Sequence, residues 1–104
     1  MKPVRLSADG PITVYMVPDI VAEHLHEYCM EFWSDWLRNS PDASKYYIEI
    51  HGSFGLCYDE SAFIEYLNDY IFPEQPSYPV KGIQPARKNS DLPKEYQNVP
   101  RFNF

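Results

Sequence analysis

Cysteine and glycine are scarce in this chain. Two cysteines, Cys29 and Cys57, occur in 104 residues. Two cannot build a disulfide framework, and without a C-x-x-C pair a structural zinc lacks its ligands. Both stand beside apolar residues, which reads as buried free thiols in a cytoplasmic protein. Glycine occurs four times. Its only cluster, Gly52-Ser-Phe-Gly55, is too short for a phosphate loop and is not framed as a nucleophile elbow. No run approaches the ~18–20 apolar residues that a membrane-spanning helix needs. Lys2 and Arg5 are followed by no apolar stretch of the secretory type. Histidines spaced i, i+4, as in zincins, are also missing.

Basic side chains are few as well, nine against fifteen acidic ones, for a net charge of −6. Their placement is uneven. Residues 1–5 carry Lys2 and Arg5. Residues 6–80 hold thirteen acidic groups against Arg38 and Lys45, and residues 81–104 hold five basic groups against Asp91 and Glu95. An acidic body repels nucleic acid and attracts basic partners, so direct nucleic-acid binding by the body is not expected.

Aromatic residues are plentiful: nine tyrosines, six phenylalanines and two tryptophans. They predict an aromatic-rich core in which tyrosine hydroxyls reach water or a partner. Residues 12–17, Ile-Thr-Val-Tyr-Met-Val, are β-branched and bounded by Gly10-Pro11 and Pro18, which predicts a short strand or arm within 1–17. The clearest element is 18–38. Pro18 and Asp19 suit a helix start, and Val21, Leu25, Tyr28, Cys29, Phe32, Trp33, Trp36 and Leu37 follow in steps of mostly three and four. Ser40-Pro41 is a second helix start, with Ala43, Tyr46, Tyr47 and Ile50 at helical spacing and Gly52 to close it. The rival reading makes Tyr46–Ile50 a strand. Gly52–Gly55 reads as a turn, and a third helix is predicted over 59–71, capped by Asp59 and burying Phe63, Tyr66, Leu67 and Tyr70. Six of the ten prolines lie between Pro73 and Pro100, which excludes long helix there. The aromatics in that stretch predict an extended tail docked on the body, its basic groups near the body's acids. The expected fold is therefore mainly α: a helical body over 18–72, an N-terminal arm over 1–17 and a proline-rich tail over 73–104. An α+β fold is the alternative if Tyr46–Ile50 is extended.

Four acids stand at strict four-residue spacing: Glu23, Glu27, Glu31 and Asp35. On a helix they form one ridge with a charge every ~6 Å. Like charges at this spacing oppose the helix slightly, so the packed face must outweigh them. Trp36 and Arg38 flank the end of the ridge and are of the types that anchor interfaces. These six residues form the expected partner-binding surface. Glu23-x-x-His26 is half of a di-iron motif with no second copy, so no metal and no cofactor are expected. His51 and Cys57 flank the glycine turn and suggest a thiol nucleophile, but no third, orienting group is evident.

The run His51-Gly-Ser-Phe-Gly-Leu-Cys57, the Phe72-Pro-Glu-Gln-Pro-Ser-Tyr-Pro-Val80 segment and the ending with Lys94, Asn98 and Arg101 resemble small accessory proteins of phages and prophages. In that group a Gly-Leu-Cys helix start, a Tyr-Pro turn and a Lys…Asn…Arg ending recur. The resemblance spans residues 51–101 and carries no site residues. It implies a phage-encoded cytoplasmic protein that binds and disables a host factor. The expectation is a non-catalytic interaction protein whose acidic helix meets a basic protein surface. An immunity protein or antitoxin, a small thiol enzyme, and an assembly protein whose tail pairs two copies as a homodimer remain open.

Overall fold

Burial alternates from Pro3 to Leu6, and in the computed structural model, which describes residues 1–104, this stretch belongs to strand β1 (Lys2–Ser7). Asp9 in the left-handed region, with φ 54°, turns the chain through Gly10-Pro11 into β2 (Thr13–Val17). The two pair antiparallel, Val4 opposite Tyr15. β5 (Tyr78–Pro79) adds to β2, and β6 (Arg101–Asn103) runs parallel to β1, giving the sheet order β5-β2-β1-β6. Helices α1 (Asp19–Glu23), α2 (Leu25–Glu31), α3 (Leu37–Asn39) and α4 (Glu60–Tyr66) complete the fold. α2 runs into α3 through a π-helical turn, Phe32–Trp36, and α4 ends in another, Leu67–Ile71. A second sheet is a hairpin of β3 (Tyr47–Ile50) and β4 (Ser53–Leu56).

This α+β architecture overturns the mainly α expectation. The arm is two strands rather than one, because Lys2–Ser7 has a strand's alternation at its centre that Lys2, Pro3 and Arg5 disguise. The second expected helix is one 3-10 segment, Pro41–Tyr46, capped by Ser40, after which the strand reading of the following residues holds. His51 and Gly52, with φ 52° and 81°, make the two-residue turn that right-twisted hairpins favour. The turn is thus only His51-Gly52, and Ser53–Leu56 is extended. Gly55-Leu56-Cys57 accordingly ends a strand and does not start a helix. The third helix forms where the sequence places it: Asp59 accepts from the Ser61 amide, and Phe63, Tyr66 and Leu67 are buried, although Tyr70 is exposed.

The main core lies between the helices and one face of the sheet. Val4, Leu6, Tyr15 and Val17 meet Val21, Leu25, Cys29, Phe32, Leu37, Phe63 and Leu67 there. Phe32 is the hub. It is fully buried, with its ring 5.2 to 6.2 Å from those of Trp36, Tyr58, Phe63, Tyr66 and Phe104. Offset and edge-on pairs at such separations add to the burial itself.

The tail covers the opposite face of the sheet, where Ile12, Val14, Ala86 and Leu92 form a smaller core. It docks as expected, but not through the body's acids: no ion pair joins a basic tail residue to the body. Arg5 does that work. Its guanidinium donates to Val99 O at 2.7 and 3.0 Å and to Asn89 Oδ1. Asn103 closes the end by accepting from Ser7 Oγ and the Asp9 amide and donating to Asp9 Oδ1.

Phe32→Ala is expected to cost about 3–5 kcal/mol of stability, the usual range for a fully buried phenylalanine, read from denaturant unfolding. Arg5→Met is expected to cost about 1.5–3 kcal/mol by orphaning two acceptors. Hydrogen exchange should then quicken at residues 86–103 and leave α2 and α4 protected. Uniform acceleration across both regions would show that Arg5 does not act on the tail specifically.

Candidate functional site

The expected ridge is carried by two helices and a wide turn, not one helix. α1 stops at Glu23 because His24 leaves the helical region, at φ −128° and ψ 40°. Glu23 is thereby set apart and held by Lys2, whose Nζ lies 3.0 Å away. Asp19 is likewise taken by the N-terminal ammonium at 2.8 Å. Asp35 lies in the π turn, which spends an extra residue per turn and breaks the four-residue stacking. Its Oδ1 accepts from Asn39 Nδ2 at 2.8 Å.

Glu27 and Glu31 stay together on α2, one turn apart and exposed. Glu27 is 76% exposed, with His24 Nδ1 at 3.5 Å. Glu31 makes no hydrogen bond or ion pair. It borders two shallow depressions at once. One, of about 350 Å³, is lined by Ile20, His24, Glu27 and Tyr28. The other, of about 390 Å³, is lined by Asp35, Trp36, Asn39, Tyr66 and Ile71. The surface is thus a strip in which carboxylates alternate with tyrosine, isoleucine and tryptophan. The sequence missed Ile20, Tyr28 and Tyr66 here, because helical spacing assigns aromatic residues to a core without showing which edges reach the surface.

Trp36 is half-buried against Tyr66 and Tyr70, each ring 5.1 Å away. Arg38 does not join the strip. Its guanidinium lies 4.6 Å from the ring of Trp33, and Trp33 lines a different, apolar slot with Met30, Tyr58, Phe102 and Phe104. Of the six expected residues, the structure therefore groups Glu27, Glu31, Asp35 and Trp36, and separates Glu23 and Arg38.

Burial, with the charges of Glu31 and Asp35 next, pushes the Tyr66 hydroxyl up to about 12. Beside the hairpin base, burial and then the hydrogen bond to Glu65 push Tyr46 up to about 12. Lys45 pairs with the same carboxylate at 3.1 Å.

The thiols divide differently from expectation. Cys29 is buried, and desolvation raises its pKa far above the ordinary value, whereas Cys57 is exposed. Strand alternation aims Cys57 away from the core. His51 sits at the hairpin tip, while Cys57 is level with Tyr46 at the base, its amide donating to Tyr46 O. That is about five residues of strand, roughly 16 Å, so the two cannot act as a nucleophile and base. Glu23 and His26 are also engaged apart, Glu23 with Lys2 and His26 against the Phe102 ring at 5.7 Å.

On the other side of the molecule, Arg87 and Arg101 line an open cleft of about 830 Å³ with Ser7, Asp9 and Asn103. Asp9 and Asn103 are already engaged with each other, and Asp9 opposes a bound anion. No helix is long and apolar enough to cross a membrane.

Alkaline titration follows from the two tyrosines. Because their folded pKa values exceed the unfolded value near 10, the unfolded state loses protons first as pH rises. Stability is expected to be unaffected below pH ~10 and to fall between about 10 and 12. Burial also raises Tyr15, so phenolate absorbance should show three late tyrosines, and Tyr66→Phe should remove one of them.

Compared with known proteins, the chain matches no family model, no curated protein and no solved structure.

Proposed function

We propose that this chain is a non-catalytic interaction protein that binds a basic protein surface through the strip centred on Glu31. One observation carries the reading: Glu31 is unpaired and lies between two depressions whose walls mix carboxylates with apolar edges. Carboxylates at the rim steer a cationic partner, and half-buried Tyr28 and Trp36 supply contact area with little side-chain freedom to lose. Three carboxylates spread over about two helical turns are too sparse to imitate a nucleic-acid backbone, which carries one charge per ~1.7 Å. The fit is to a compact basic protein patch, and modulation or inhibition of that partner is the action that follows. The host setting implied by the resemblance to phage accessory proteins is compatible with this role.

The test is affinity capture with wild-type bait and with Glu27→Lys/Glu31→Lys bait. A basic protein is expected that elutes as salt rises from about 0.1 to 0.5 M, with at least tenfold less recovered by the reversed bait. Equal recovery by both baits, or retention independent of salt, would sink the electrostatic strip.

A further inference from the structure

The hairpin β3–β4 has no cover. Seven of its eight strand residues are exposed and Leu56 is half-buried; the exposed ones include Tyr47, Ile48, Ile50 and Phe54, the last at 74%. It belongs to no larger sheet. A lone two-stranded ribbon is marginal in water. The radius of gyration, 14.2 Å, exceeds the about 13 Å usual for this chain length, as a projecting arm would require.

Its two free edges differ. Cys57 donates its amide to Tyr46 O at 2.7 Å, so the polar backbone groups of Cys57 face β3. Antiparallel ladders alternate, so those of Gly55 and Ser53 do too. The backbone groups of Phe54 and Leu56 therefore point outward from β4. Natural edges are blunted by lysine, proline, bulges or inward charges, and Ser53-Phe54-Gly55-Leu56 has none of these. The β3 edge carries Glu49, which like-charge pairing would disfavour.

We propose that β4 pairs antiparallel with β4 of a second copy about a two-fold axis at Gly55, giving a four-stranded sheet across two chains. Electrostatics selects this occupant. The edge is uncharged and Glu49 is the only acid of the hairpin, so two copies of this acidic chain meet there with no like-charge pair in the new ladder. In this register Phe54 lies opposite the partner's Leu56 and each exchanges both backbone bonds. Gly55 meets Gly55 of the partner subunit at the axis, where an added Cβ would have open space on its own chain. Ser53 lies opposite the partner's Cys57 in a pair without backbone bonds, with Cα atoms about 4.5 Å apart. A contact limited to two edge strands falls at the low end of interface sizes, so the dimer dissociates readily.

The register makes the test specific. Ser53→Cys, oxidised with copper–phenanthroline, should form an intermolecular disulfide with the partner's Cys57, two thiols giving up two protons and two electrons to the oxidant. Within one chain these positions are about 13 Å apart along the strand and cannot bridge, and Cys29 is buried. Adding Cys57→Ser should abolish the cross-link, because position 53 does not face itself. Reduced wild type should move from 12.2 kDa toward twice that mass in sedimentation between about 1 and 500 μM, and Phe54→Asp should weaken the dimer by about tenfold or more. Monomers throughout with no cross-link would overturn the proposal, and cross-linking that survives Cys57→Ser would overturn the register. Phe54 and Ser53 are exposed, so circular dichroism should match wild type in both variants.

Discussion

Strand β1 is the constraint from which the rest of this fold is placed. It has a neighbour on each edge, and its two faces are covered by different parts of the chain. Val4 and Leu6 on one side fix where the helices sit. Arg5 on the other fixes where the tail sits. A strand in this position cannot slip by one residue without driving Arg5 into an aromatic core and Leu6 beneath a loop. The turn at Asp9, the parallel return of β6 and the burial of Phe104 all inherit their register from it.

Much of this arrangement was legible in the residues. The helix starts at Pro18, Ser40 and Asp59 are marked by chemistry that acts locally, and all three are found. The proline-rich tail announces its extended form, and its aromatics announce that it docks. What escaped the sequence was non-local. Nothing near Lys2–Ser7 shows that a segment ninety-odd residues later will pair with it. Arg5 looks like a surface charge until Val99 and Asn89 arrive to accept its hydrogen bonds. The same holds for the binding strip. Four-residue spacing was visible, but the break at His24 and the π turn at Phe32–Trp36 were not. They remove Glu23, displace Asp35 and leave Glu31 as the centre. The helix-versus-strand choice at Tyr46–Ile50 was decided by His51-Gly52, whose paired left-handed conformations suit a hairpin and would end a helix.

The molecule separates its charge by element. Acids ride on the helices, and the basic groups of the tail lie across the sheet, each set satisfied mostly by solvent. A uniformly acidic particle would repel its own kind and steer every cation equally. This one has an oriented field, which would bring the basic partner proposed above to the helical side first. The hairpin, nearly uncharged, stands outside both regions. One partner on the helices and another at the hairpin can therefore be held without competing for the same surface.

β1 and β6 enter the same sheet from opposite ends of a long intervening stretch, and this has a consequence for how the protein is born. The parallel pair of β1 and β6 joins residues about 96 positions apart, and closing so long a loop must precede any reward from its contacts. Until the stretch from Arg101 to Phe104 leaves the ribosome's exit tunnel, β1 lacks one edge partner and the aromatic cluster lacks Phe104. The nascent chain must wait, partly collapsed, and complete its architecture only after those residues emerge.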